Sequence, residues 1–191
     1  MSNPSLVVVL VEDQRQKQFI YRFLAKAGVR PRQIQIELSP SGRGSAEKWV
    51  CDNFAKEARK CRARSSRAST GMIVMLDADT RSILNRLQAL DEALVSAGQS
   101  RLDPNRDPIA RLIPRRNVET WILCLNPTGN PVDEETDYKL TKSGEDWSAF
   151  IPTAADALHQ WMKMPNNLPS NLIYSLRHGI EELPRALVVH G

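Results

Sequence analysis

Cysteine is scarce. Cys51, Cys61 and Cys124 are the only three among 191 residues, and they have neither CxxC spacing nor a histidine nearby, which argues against a disulfide framework and against a zinc site. They read as thiols packed against helices. Long apolar runs are missing too: none approaches the roughly 20 residues needed to cross a bilayer, so no membrane association is expected. Met1 to Val11 has no basic leader and no small-residue cleavage site, and it runs straight into Glu12-Asp13. That stretch reads as a strand rather than a secretory signal, and a cytoplasmic location is the expectation. No GxxxxGK[ST] loop is present, so any dependence on ATP has to come from another chain. The histidines His159, His178 and His190 are scattered without ligand spacing and read as structural. Aromatic residues make up 6% of the chain, and Trp49, Trp121, Trp147 and Trp161 fit apolar helix faces better than platforms for stacked bases. With 41% apolar and 25% charged residues, wholesale disorder is excluded.

What the chain does have is an uneven charge. The net +4 divides into 14 basic and 6 acidic residues over positions 1–71, and 12 basic and 16 acidic over 72–191. Lys56, Arg59, Lys60, Arg62, Arg64 and Arg67 crowd one stretch around the single acid Glu57. A solvated helix end explains this, since cations in a last turn suit the helix dipole; a nucleic-acid phosphate-binding face explains it as well. Gly42-Arg43-Gly44 offers amides and a cation to a phosphate, although an ordinary loop is the simpler reading.

The periodicity alternates between strands and helices. Leu6 to Val11 is a continuous β-branched run, the pattern of a central parallel strand covered on both faces. Phe19, Ile20, Phe23, Leu24 and Ala27 then recur at helical spacing up to Gly28. Arg32 to Leu38 alternates like a strand, and Ser45 can cap a helix carrying Ala46, Trp49, Val50 and Phe54. Met72 to Leu76 is a second buried run, followed by helical Ile83, Leu87, Leu90 and Leu94. Ile109 to Pro114 predicts another strand, and Asn117 a cap for Val118, Trp121, Ile122 and Leu125. This order implies an α/β fold, a mainly parallel four-stranded sheet flanked by helices with right-handed crossovers, over residues 1–126. Residues 127–191 read as an acidic loop and a helical extension packed on it, with short helices at about 153–162 and 169–182.

Both buried runs end in carboxylates. Glu12 and Asp13 follow LVVVLV, and Asp77 and Asp79 follow MIVML. In open parallel sheets ligands collect beyond the carboxyl ends of the strands, and hard oxygen donors favour Mg²⁺ or Mn²⁺ over zinc. An aspartate at a strand-to-helix junction is also a common helix cap, which applies to Asp79 alone and to Asp13.

A hydrophobic strand ending in Glu12, then a helix, a strand and a helix, and then a hydrophobic strand ending in Asp77-x-Asp79, resembles the TOPRIM domain. Topoisomerases, primases and the overcoming-lysogenization-defect nucleases share that domain, and the likeness covers about residues 5 to 125. It implies a Rossmann-like TOPRIM fold. It also implies that Glu12, Asp77 and Asp79 bind divalent metal, two ions of Mg²⁺ or Mn²⁺, for phosphodiester chemistry on DNA or RNA. The helix opening Arg115-Arg116-Asn117-Val118-Glu119-Thr120-Trp121 is similar to one that follows the aspartate pair in stand-alone members, making Glu119 a further ligand. Its place in a first helical turn, with Arg115 or Arg116 as partner, is the alternative. Lys139 looks like the lysine that assists the scissile phosphate in the nuclease branch, unless it is a surface residue.

Chains of this size resemble nucleases encoded beside an ABC-type or AAA-type ATPase in prokaryotic defence against phage. The expected partners are therefore nucleic acid and such an ATPase, with the acidic segment Asp133 to Asp146 and the C-terminal helices as docking surfaces. Two competitors stay open. Asp77-Ala78-Asp79-Thr80 also fits the first motif of haloacid-dehalogenase-like phosphatases, although that motif normally lies on the first strand. A non-catalytic nucleic-acid-binding or ATPase-partner subunit would use the basic face alone.

Overall fold

The computed structural model describes residues 4–41, 45–65, 68–126 and 132–187. β1 (Leu6–Val11) lies in the middle of the sheet, flanked by β2 (Ile34–Leu38) and β3 (Thr70–Met75), and β4 (Ile109–Leu112) adds to the far side of β3. The order is β2-β1-β3-β4, and all three pairings are parallel. Burial on both faces is what the unbroken apolar runs demand: Val7 to Val11 and Met72 to Met75 are at most 2% exposed.

Alternate side chains on these strands feed two cores. Val9, Val11, Ile73, Met75 and Leu112 face α1 (Gln14–Lys26), α4 (Val118–Leu125), α6 (Trp147–Lys163) and α7 (Tyr174–Leu187). Leu10, Met72, Val74 and Ile109 face α2 (Ala46–Ser65) and α3 (Ile83–Ser96). The chain leaves β1 toward β2 and leaves β3 toward β4, in opposite directions. The crevice between the carboxyl ends of β1 and β3 is therefore the topological switch point of the sheet.

Residues beyond 126 supply much of the first core. Trp147, Ile151, Leu158, Leu176, Ile180 and Leu183 are buried in the same cluster as the sheet residues. Two glycines make room for α7. A Cβ on Gly71 would lie 1.9 Å from the Ala186 carbonyl oxygen, and one on Gly179 would lie 2.3 Å from the Trp121 ring.

The boundaries differ from the sequence reading in identifiable ways. Pro31–Gln33 forms a 3₁₀ turn, so β2 starts at Ile34 instead of Arg32. β4 stops at Leu112, but its backbone keeps pairing beyond the strand: Ala78 N–H donates to Pro114 O at 2.8 Å and Asp79 N–H to Arg116 O at 3.1 Å. α6 begins at Trp147 under an Asp146 cap and carries Pro152 inside it, where the sequence suggested a start. The last helix is α7, shifted to 174–187, and a one-turn α5 (Tyr138–Thr141) was not anticipated. Cys61 is buried and Cys51 and Cys124 are half-buried, all free. Burial pushes the Cys61 thiol up to about 12 and the Cys51 thiol up to about 11, so both are unreactive packing groups. Among the described residues no helix is long and apolar enough to cross a membrane.

Candidate active site

Parallel pairing of β1 with β3 sets Val11 opposite Met75, so Glu12 leaves its strand beside Leu76 and Asp77. The Asp77 amide donates to Glu12 Oε2 at 2.7 Å. From the first turn of α1, Gln16 holds the same glutamate twice: it accepts from the Glu12 amide at 2.9 Å and donates Nε2 to Glu12 Oε2 at 3.3 Å. Gln16 itself has no solvent exposure. The Asp77 carboxylate is 6% exposed, and its Oδ1 has no hydrogen-bond partner.

Two acids placed this way oppose each other's ionisation. Burial raises the Glu12 carboxyl to about 7, against the pull of the Asp77 amide and Gln16, and the charge of Asp79 adds to the rise. Burial also raises Asp77 well above the ordinary carboxylate range, reinforced by Glu12, Asp13 and Glu119. Carboxyls raised by burial and by one another in this way cluster at functional sites.

The surrounding residues are held in different ways. Asp13 is the N-cap of α1, accepting from the Arg15 and Gln16 amides at 2.9 Å each. Asp79 is not a cap, because Ser82 caps α3. Its φ of 54° makes it the single described non-glycine residue in the left-handed region, and such strain clusters at functional sites. Its side chain is 62% exposed, with Oδ2 accepting from Arg86 Nη2 at 3.2 Å. Glu119 sits in the first turn of α4, 1% exposed, and pairs with Arg15 rather than with Arg115 or Arg116. Those two arginines donate to the Asp79 carbonyl and pair with Glu135 and Asp137. Lys139, on α5, brings Nζ to 3.5 Å from Asp13 Oδ2. Burial lowers the Lys139 ammonium, but Asp13, Glu119 and Asp77 outweigh it and raise it overall.

The structure thus gathers Glu12, Asp77, Asp79, Glu119 and Lys139 at one edge. Beside them opens a cleft of about 410 Å³ lined by Glu12, Asp13, Arg15, Ser39, Ser41 and Lys139. Among the described residues no three His, Cys, Asp or Glu side chains converge enough to hold an ion as they stand. Arg86 instead engages Asp79, and Arg15 engages Glu119. The donors of Glu12 and Asp77 are all oxygen, the type a hard divalent cation takes, and the buried Asp77 Oδ1 lacks a hydrogen-bond partner.

The basic stretch lies elsewhere. α2 begins near the carboxyl end of β2 and descends to the amino end of β3, so Arg64 lies about 27 Å further down the helix axis than Ala46. Lys56, Arg59, Lys60 and Arg64 are exposed, with Lys60 paired to Glu57 at 2.7 Å and Arg59 donating to the Ala97 carbonyl at 2.7 Å. Arg62 is a structural clamp: Nε and Nη2 donate to the two oxygens of Asp107 at 2.9 and 2.7 Å. Arg43, with the Gly42-Arg43-Gly44 loop, and Arg67 and His190 lie outside the described residues.

Sequence reasoning missed Arg86, Arg15 and Gln16. Arg86 had a signal, since it falls between Ile83 and Leu90 on the apolar stripe of α3, where a charge demands a buried partner. Arg15 had none, because its partner Glu119 is 104 residues away. Comparison with protein-family models, with curated proteins and with solved structures finds no match for this chain.

Proposed function

We propose that this chain is a divalent-metal-dependent nuclease of TOPRIM type, hydrolysing phosphodiester bonds of DNA or RNA at the carboxyl edge of its sheet. The observation that carries the reading is the buried Asp77 carboxylate, with an unpartnered Oδ1, set against Glu12 at the switch point between β1 and β3. Glu12 and Asp77 would hold the ion, their geometry fixed by the Asp77 amide and Gln16. A bound Mg²⁺ or Mn²⁺ supplies an acidified water and neutralises charge on the phosphate. Lys139, which lines the cleft within reach of Asp13, would steady a phosphate oxygen. The cleft's openness to solvent suits a polymer better than a small enclosed substrate. A separate ATPase partner and a role in defence against phage rest on the resemblance.

The test is incubation with plasmid, linear and single-stranded nucleic acids with Mg²⁺ or Mn²⁺, comparing the wild type with Asp77→Ala. Metal-dependent cleavage lost in the variant is the expected result; equal cleavage by both overturns the assignment. Hydrolysis of small phosphoesters without cleavage of nucleic acid would favour the phosphatase reading. The exposed cations of α2 favour a second reading, a nucleic-acid-binding subunit, which predicts salt-sensitive binding that survives Asp77→Ala.

A further inference from the structure

Arg86 is 1% exposed and fills a core position of α3, yet its guanidinium ends at the candidate site. Nη2 meets Asp79 Oδ2 at 3.2 Å, and Nη1 pairs with Glu47 in the first turn of α2. Glu47 also pairs with the exposed Arg81 at 3.0 Å. Neither Nε nor Nη1 of Arg86 makes a hydrogen bond, so Nη1 meets Glu47 as an ion pair only. A guanidinium this deep is costly unless it balances charge, and here it balances two carboxylates, one of them on the strained Asp79.

We propose that Arg86 stands where a second metal ion would otherwise be needed, so that the site takes a single divalent ion at Glu12 and Asp77. The inference rests on the metal reading given above and deepens it. A second ion at Asp79 would have to displace the guanidinium or sit against it, and a cation anchored in the core between Ile83 and Leu90 has nowhere to withdraw. The carboxylates then form two groups, each with its own balance. Glu12 and Asp77 face the exchangeable cation, and Asp79 and Glu47 face the fixed one. One or two protein carboxylates are enough for Mg²⁺, which keeps its remaining positions for water and substrate phosphate.

Counting bound ions tests this without reference to cleavage. The full chain is titrated with Mn²⁺ and free Mn²⁺ is followed by electron paramagnetic resonance. The wild type should bind one ion per chain, and Asp77→Asn should weaken that binding at least about tenfold. Two ions bound by the wild type overturn the role of Arg86 and leave the metal reading standing. No Mn²⁺ bound, or binding indifferent to Asp77→Asn, overturns the metal reading and this inference with it. Arg86→Met should release Asp79 and Glu47 to a second, weaker ion, and adding Asp79→Asn should abolish it. Arg86→Lys keeps the cation and should keep the count at one. A folded Arg86→Met protein that still binds one ion overturns the proposal. Because removing a buried arginine threatens the packing of α2 on α3, circular dichroism melting accompanies each variant. A wild-type count of two overturns the role of Arg86 without any variant.

Discussion

The two edges of the sheet use charge in opposite ways. At the amino edge, Arg62 and Asp107 satisfy each other with two hydrogen bonds, and further cations of α2 face solvent. At the carboxyl edge, half-buried Glu12 accepts from the amide of buried Asp77, Asp77 Oδ1 has no partner, and Asp79 sits in a left-handed conformation. Satisfied charge stabilises a fold, whereas unsatisfied buried charge persists only where something else is gained. The contrast separates the two charged regions more sharply than the net charge does, since the basic stretch and the acidic cluster lie on opposite edges.

The largest effect expected is on activity. Asp77→Ala removes the carboxylate carrying the unpartnered oxygen, and cleavage rates should fall by about 10³-fold or more, measured under single-turnover conditions with Mg²⁺. Far-ultraviolet circular dichroism should stay unchanged, because the buried carboxyl has an oxygen without a partner and its removal leaves no hydrogen bond of that oxygen broken. Next in size is a pure packing effect at the other edge. Gly71→Ala would drive a Cβ to 1.9 Å from the Ala186 carbonyl, so α7 must lift from β3, at a cost of about 2–3 kcal/mol in denaturant unfolding. If Gly71→Ala also abolished cleavage in protein that remains folded, the two edges would not be as separate as their chemistry suggests.

Much of this arrangement was legible in the sequence because it depends on local pattern. The runs LVVVLV and MIVML could only be strands covered on both faces, and both end in acids, so the carboxyl edge followed from parallel topology alone. The packing of the C-terminal helices on the domain was expected, but the strand order and the residues that carry the shared core, Trp147 among them, were not legible. Within the site, Glu12 and Asp77 were identifiable from position. The engagement of Glu119 by Arg15 was not, because a first-turn glutamate is explained equally well by its own helix. The edge occupied by the basic stretch depended on the direction of α2, which charge counting does not contain.

Asp107→Asn tests whether charge at the amino edge is structural. Burial alone would raise the Asp107 carboxyl, but hydrogen bonds from Arg62 and the Asp103 amide overcome it and hold it below its ordinary 3.8. The folded value is therefore depressed, so the pair's contribution is present in full above the unfolded value and is lost as pH falls through the folded one. The variant should lose about 1–2 kcal/mol at neutral pH. In urea melts the gap from wild type should narrow on acidification below about pH 4. A gap that is constant with pH would show that the ion pair is not its source. Lys139→Ala, back at the carboxyl edge, should lower cleavage about tenfold, as expected for one positioned cation on a transferring phosphate.

The smallest effect concerns the exposed cations of α2, and it sharpens the comparison most. Lys56, Lys60 and Arg64 face solvent on a helix whose basic end lies at the edge opposite the acids. A nucleic acid engaged at the cleft meets that face only if it wraps around the domain. Changing all three to glutamine should then weaken binding of a short duplex by a factor of about two to five at low salt. At 0.15 M ionic strength, where charges more than about 8 Å apart are screened, almost nothing should be lost. A longer duplex that reaches both edges should lose more, and the slope of log affinity against log salt should flatten by nearly three phosphate contacts. Equal losses for short and long duplexes would mean that the α2 face contacts nucleic acid directly at the site of binding. The amino edge would then be the recognition surface, leaving the carboxyl edge to chemistry alone.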